Sequence, residues 1–289
     1  MRRSLAPVLL AALAVIAGCG GGGDSAGESS GGGTPLQAVA AAATKTGQEG
    51  SSRVSFVVSL SGVGSQQATI KGDGVFDSAR HVGQMQMDLS DLGNAAGGMQ
   101  LGKAEVIFDR LVVYMKFPFL AQMQPNMKPW LKLDLAQIGN QQGFDLGQLT
   151  QLNQGDPTQA LAYLRAASSD TKKVGEEDVR GTHTTRYHMT VDLKKVAATA
   201  PPAQRKQIQA SIDQLVEKSG IRHVPADVWI DDEGLVRRIQ LVYENFRFAA
   251  GQQGTMALTQ ELYDFGVDVK VSPPPADQIT DLSTLLGGA

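Results

Sequence analysis

The chain has 289 residues, with 26 Lys and Arg against 29 Asp and Glu and a single cysteine. A net charge of -3 excludes a protein that holds nucleic acid through a basic surface, and one cysteine excludes an internal disulfide, so stability must come from packing. Beyond the first 33 residues, about 250 remain, enough for one large domain or two small ones with a sizeable core.

Residues Met1 to Cys19 read MRRSLAPVLLAALAVIAGC. Arg2 and Arg3 form a positive n-region, Leu5 to Ala17 an apolar h-region, and Ala17-Gly18 a small-residue cleavage site, the plan of a secretory signal. The apolar run falls short of the roughly 20 residues that span a bilayer. Ile16-Ala17-Gly18-Cys19 resembles the lipobox of bacterial lipoproteins, in which the signal is cut before the cysteine and the thiol carries a diacylglycerol. The resemblance implies a signal peptide over 1–18, lipid attachment at Cys19, and a membrane partner reached through that anchor on the extracytoplasmic face of the cell membrane. The competing reading is a stray cysteine in an ordinary signal or membrane-buried segment, and its place between Ala-Gly and a glycine run argues against it. Loss of Arg2 and Arg3 moves the net charge from -3 to -5.

Residues 19–33 then form a flexible Gly/Ser tether behind the cysteine, spanning roughly 20 Å, and 34–289 read as a single domain with a short C-terminal tail. Thr34-Pro35-Leu36-Gln37 is a capping-box pattern, and Leu36, Val39, Ala40 and Ala43 predict a helix to about Thr44, stopped by Gly47. From Ser51 the apolar period becomes two: Val54, Phe56, Val58 and Leu60 share one face of a strand. Further strands are predicted at Gln66–Phe76, Arg80–Leu89, Ala104–Asp109, Leu111–Phe117 and Trp130–Leu135, with hairpin-length gaps that favour antiparallel pairing. Phe119 to Gly155 reads as a long mobile excursion, interrupted by the Trp130 strand. Asp156-Pro157 caps a helix ending by Ser169. Strands follow at Thr171–Val179 and His183–Leu193. Another helix runs from Pro201-Pro202 to Gly220 with Ile208, Ile212 and Leu215 on one face. Val224–Ile230 and Leu235–Phe246 form a hairpin turned by Asp231-Asp232-Glu233-Gly234. A last strand spans Thr255–Val271 with Gly266 as a bulge within it, and Ile279, Leu282, Leu285 and Leu286 form a terminal cap. The fold class is α+β: a large curved antiparallel sheet, a half-barrel of about ten strands, wrapped on three or four helices.

The chemistry-bearing residue types point away from catalysis. His81, His183, His188 and His223 lack metal-site spacing, and His183 and His188 lie on opposite faces of one strand; they read as surface or hairpin-rim residues. No serine sits in a Gly-x-Ser-x-Gly elbow, and Gly62-Val63-Gly64 and Gly72-Asp73-Gly74 lack the helix that a nucleotide loop needs. Asp231-Asp232-Glu233 reads as a hairpin tip of solvated acids rather than a calcium loop. Met85, Met87, Met99, Met115, Met123 and Met127 suit an adaptable apolar lining better than a copper site. No metal, cofactor or enzymatic activity is expected.

Three segments together carry a family resemblance: Val174 to Gly181 running into Thr184-Thr185-Arg186-Tyr187; Pro225 to Asp231 with Gly234 to Arg238; and Phe265-Gly266 with Val269 ahead of Pro273. They resemble actinobacterial lipoproteins of the LppX/LprA/LprF/LprG type in the LolA-like superfamily. The resemblance implies a half-barrel of antiparallel strands closed by helices over an apolar cavity, which in relatives takes acyl chains or glycolipids across the envelope. The inward strand faces supply ten candidates for lining it: Phe56, Val58, Phe108, Val113, Met115, Leu133, Met189, Val191, Ile239 and Leu241. The same residues suit a filled core, so two readings stand: a carrier of a lipid, glycolipid or lipidated molecule, and a non-catalytic envelope sensor that contacts another envelope protein.

Overall fold

The structure is a computed structural model that describes residues 33–63, 66–95, 97–123, 127–137, 168–195, 205–247 and 253–282. The signal, Cys19, the tether as far as Gly32 and the predicted Asp156 helix lie outside these residues, apart from Ser168 and Ser169, which prove to be strand. In chain order the elements are α1 (Pro35–Gln48), β1 (Ser51–Val63), β2 (Gln66–Asp77), β3 (Val82–Asp88), α2 (Ser90–Ala95), β4 (Lys103–Asp109), β5 (Val112–Lys116), α3 (Pro118–Met123), β6 (Trp130–Asp134), β7 (Ser168–Val179), β8 (Thr182–Asp192), α4 (Arg205–Ser219), β9 (His223–Asp231), β10 (Val236–Arg247), β11 (Gln253–Tyr263) and β12 (Ile279–Asp281).

The strands pair in the order β12-β6-β5-β4-β3-β2-β1-β11-β10-β9-β8-β7, an open sheet of twelve among the described residues where about ten were expected. Hairpin connections make it antiparallel as expected, except that β12 lies parallel to β6, with Ile279 opposite Trp130. That pairing puts Ile279, expected in a terminal cap, into an edge strand where Lys132 of β6 binds Asp281 of β12 at 2.9 Å; Leu285 and Leu286 of the expected cap lie outside the described residues. The chain falls into two compact units.

The first unit holds α1, β1 from Val58, β7 to β11 and α4. The capping box is reciprocal: Thr34 N–H donates to Gln37 Oε1 at 2.8 Å and Gln37 N–H to Thr34 Oγ1 at 3.3 Å. α1 runs past the expected stop at Gly47 to Gln48, with Val39, Ala40 and Ala42 buried; the glycine that takes positive φ is Gly50, at 75°. The end of α1 is held on the β9–β10 hairpin: Lys45 Nζ donates to the Glu233 carbonyl, and Thr46 Oγ1 accepts from Val236 N–H at 2.8 Å. In that hairpin Gly234 takes φ +78°, free of the Cβ cost any other residue carries there. Asp231 is not a solvated acid. It is 7 % exposed, and its carboxylate accepts from Leu235 N–H at 2.8 Å and from Arg237 Nε at 2.5 Å; only Asp232 and Glu233 face water.

The second unit holds β1 up to Val57, β2 to β6, α2, α3 and β12. β3 starts at Val82, not Arg80, because Arg80 belongs to the turn: its N–H and Nε bind the Asp77 carboxylate at 2.8 and 2.7 Å, and its terminal nitrogen reaches the Val269 carbonyl at 2.7 Å. Burial opposes the Asp77 charge, but these bonds outweigh it and hold the carboxyl below its usual range. The last long strand stops at Tyr263, short of the predicted Val271. Gly266 sits in the turn beyond it, at φ +77°, where its N–H donates to the Ser51 carbonyl at 2.8 Å.

Candidate functional site

Successive side chains of a strand point to opposite faces, and residues paired across an antiparallel ladder share one. In the second unit the register therefore gathers Met85, Met87, Ala104, Val106, Phe108, Val113, Met115, Leu131 and Leu133 on one face. Phe56 joins them: its ring lies over Gly72 of β2, 2.4 Å from where a Cβ would stand, and Gly72 is opposite Met87. Phe76 fills the hollow over Gly83 in the same way and meets Phe108 edge-on at 6.1 Å. The glycines here are seats for aromatic rings. Of the candidates, Phe108, Val113 and Leu133 are buried, whereas Phe56 and Met115 stay partly exposed.

In the first unit Met189, Val191, Ile239 and Leu241 share a face with Val224, Ala226, Val228 and Leu258, through the ladders from β8 to β11. Val58 and Met189 are buried, and Val191, Ile239 and Leu241 are partly exposed. Tyr243 extends the same row opposite Met256. Burial pushes its hydroxyl above the ordinary phenol range, the mark of an apolar setting. Tyr187, opposite Val228, is a further member. The period-two pattern of β8 and β10 could have revealed both tyrosines. Thus the second unit brings its five predicted residues onto one apolar face and the first unit brings Met189, Val191, Ile239 and Leu241 onto another, part packed and part open, with Val58 buried.

The opposite face of the first unit is a ladder of charge. Trp229 is 3 % exposed, covered by the guanidinium groups of Arg186 at 5.0 Å and Arg238 at 5.2 Å, and its indole N–H donates to Glu177. Arg186 binds Asp227 at 2.8 Å, a bond that raises the arginine's pKa further, and Asp227 also meets His188 Nδ1 at 2.8 Å. His188 is therefore half-buried in an ion-pair network, not a rim residue. Glu261 accepts from Arg238 at 2.7 Å and Arg180 at 2.7 Å. These pairs tie five neighbouring strands together.

On the opposite face of the second unit lies a groove of 340 Å³. Its side chains are mainly polar, so it is not the apolar cavity that the family resemblance implies. Among the described residues no cluster of His, Cys, Asp or Glu could hold a metal ion, and no helix is long and apolar enough to cross a membrane. Met85, Met87 and Met115 lie in the apolar face, whereas Met99 is exposed.

No protein-family model matches the chain. It is 31% identical over 189 residues to an uncharacterized 31.2 kDa protein in the rplA-rplJ intergenic region of Streptomyces griseus, covering 61% of this chain and 58% of that one. Over 163 residues it is 29% identical to a Streptomyces coelicolor protein named "Putative lipoprotein", covering 54% and 44%. The chain thus spans about half the length of the curated relatives it matches. Among solved structures it is similar to LprF from Mycobacterium bovis, with 13% identity, a TM-score of 0.44 and coverage of 83% of this chain and 96% of that one. It is similar to the lipoprotein LppX from Mycobacterium tuberculosis at 12% identity and TM-score 0.44, covering 82% and 98%.

Proposed function

We propose that the protein is an envelope lipoprotein, anchored through Cys19 on the extracytoplasmic face of the membrane, that holds a lipid or lipidated molecule on the apolar face of a unit and carries it between membrane sites. The observation that carries this reading is the partial exposure of Val191, Ile239 and Leu241 in one unit and of Phe56 and Met115 in the other. A finished core leaves such side chains covered, whereas an acyl chain laid on them removes apolar surface from water at roughly 25 cal/mol per Å². The lipobox and the name of the Streptomyces coelicolor relative support the address, and the tether sets the reach. The reading needs no covalent chemistry: affinity comes from burial, and no catalytic residue is assigned. Purified full-length protein, extracted with organic solvent, is expected to release a stoichiometric non-covalent lipid identifiable by mass spectrometry, with the covalent acyl groups remaining on the protein. Protein that refolds to the same spectrum yet neither carries nor takes up lipid from labelled vesicles refutes the carrier function and favours an envelope sensor.

A further inference from the structure

A groove lies on the polar face of the second unit. Its side chains come from β1 to β4 and the end of β11: Arg53, Asp73, Gln84, Gln86, Glu105 and Tyr263, with Val75 and Ile107 between them. The register sets two rows across the strands. Asp73, Gln86 and Glu105 stand opposite one another in the first, and Val75, Gln84 and Ile107 in the second. Adjacent members are about 4.8 Å apart along the hydrogen-bonding direction, so a row of polar groups runs beside a partly apolar one.

On the same face Lys132 meets Asp281 at 2.9 Å, while Lys71 and Lys103 in the neighbouring row are exposed. Within the groove Glu105 meets Lys116 at 2.9 Å and Arg53 meets Asp264 at 3.4 Å. Asp73, Gln84 and Gln86, by contrast, make no side-chain hydrogen bond among the described residues. Two amides and a carboxylate thus present several donors and acceptors side by side with nothing to satisfy them but solvent or a ligand. The volume, 340 Å³, lies within the roughly 300–1,000 Å³ of small-molecule sites.

We propose that this groove binds a neutral saccharide. The lining carries two carboxylates and one arginine, and Lys116 pairs with Glu105, so no net positive charge is left in the groove to hold an anion. The carboxylates accept hydroxyl protons, and each glutamine amide can donate to one hydroxyl while accepting from its neighbour. Val75, Ile107 and the Tyr263 ring suit the C–H faces of a sugar. This site is on the face of the second unit opposite its apolar one and does not depend on lipid binding there.

The test is saturation-transfer NMR on the full-length protein in detergent, with cellobiose and α-1,6-mannobiose as neutral probes and sialyllactose as a charged one. Transfer to a neutral disaccharide is expected, weakened about tenfold in Gln86→Ala and in Asp73→Ala, the size of one lost hydrogen bond, with unchanged circular dichroism. Lys172→Ala, exposed on β7 in the other unit, is expected to bind as the parent does. No transfer to either neutral probe at millimolar concentration overturns the proposal, as does binding undiminished in both groove variants or a preference for sialyllactose.

Discussion

Leu241 and Ile239 on β10, set against Val113 on β5, distinguish a lipid-bearing face from a filled core. Val113 is 3 % exposed, so Val113→Gln removes a fully buried side chain, about 1.5 kcal/mol or more, and buries an amide with no partner, another 1–3 kcal/mol. A loss of about 3 kcal/mol or more is a large fraction of a domain's stability. Leu241 and Ile239 are partly exposed; a glutamine there can turn its amide to water, and about 1 kcal/mol of folding stability is expected to go. A bound acyl chain is affected more, because it loses an apolar contact and faces a polar group, about 2 kcal/mol or roughly thirtyfold in retention. Urea unfolding followed by tryptophan emission suits the comparison, since Trp130 reports on one unit and Trp229 on the other. Lipid per protein is counted by mass spectrometry after extraction. If Leu241→Gln and Ile239→Gln stay folded with full lipid, or unfold as readily as Val113→Gln, these residues line no ligand surface.

Asp231→Ala leaves the Leu235 N–H and the Arg237 guanidinium, whose side chain is 17 % exposed, without their carboxylate, and is expected to cost about 3 kcal/mol by urea unfolding; adding Arg237→Ala should recover part of it, and a double mutant no more stable than Asp231→Ala contradicts the pairing. Burial opposes the charges of Glu261 and Asp192, but arginine and backbone bonds outweigh it and hold both carboxyls below their usual range. Their stabilisation is therefore complete above the unfolded values near 4.3 and 3.9 and is lost as pH falls through the lower folded ones. The urea midpoint should drop on acidification below about pH 4.5, and Glu261→Gln should flatten that dependence; an unchanged profile counts against the arginine pairs. Cys19→Ser is expected to abolish acylation and signal removal, read as an intact-mass increase by the uncut leader; a variant with normal mature mass and membrane attachment ends the lipobox reading.

Much of the local structure was legible because its causes are local. The Thr34–Gln37 capping box, the alternation of Val54, Phe56, Val58 and Leu60, and the Asp231 to Gly234 turn are decided by neighbours in sequence, and each forms as expected. Nine of the ten candidates fall on an apolar face within their unit for the same reason, that period two assigns a side, and Val58 is buried. Boundaries were less legible where a distant partner acts. Arg80 reads as strand until Asp77 and Val269 claim its guanidinium, and the predicted strand past Tyr263 yields to a turn bonded to Ser51. Asp231 reads as a solvated acid because its cover, from Arg237, comes across the hairpin.

By itself, then, the sequence determined the strand-dominated class and the alternation that assigns side chains to the two faces of each strand, and it supplied the expectation of a lipobox at Cys19. Only the tertiary structure decided the pairing of β12 with β6, the row of Asp73, Gln86 and Glu105 beside a second groove row, and which apolar residues remain open. The physical reason is that periodicity records which way a side chain points, whereas burial and strand order depend on what arrives from elsewhere in the chain to meet it.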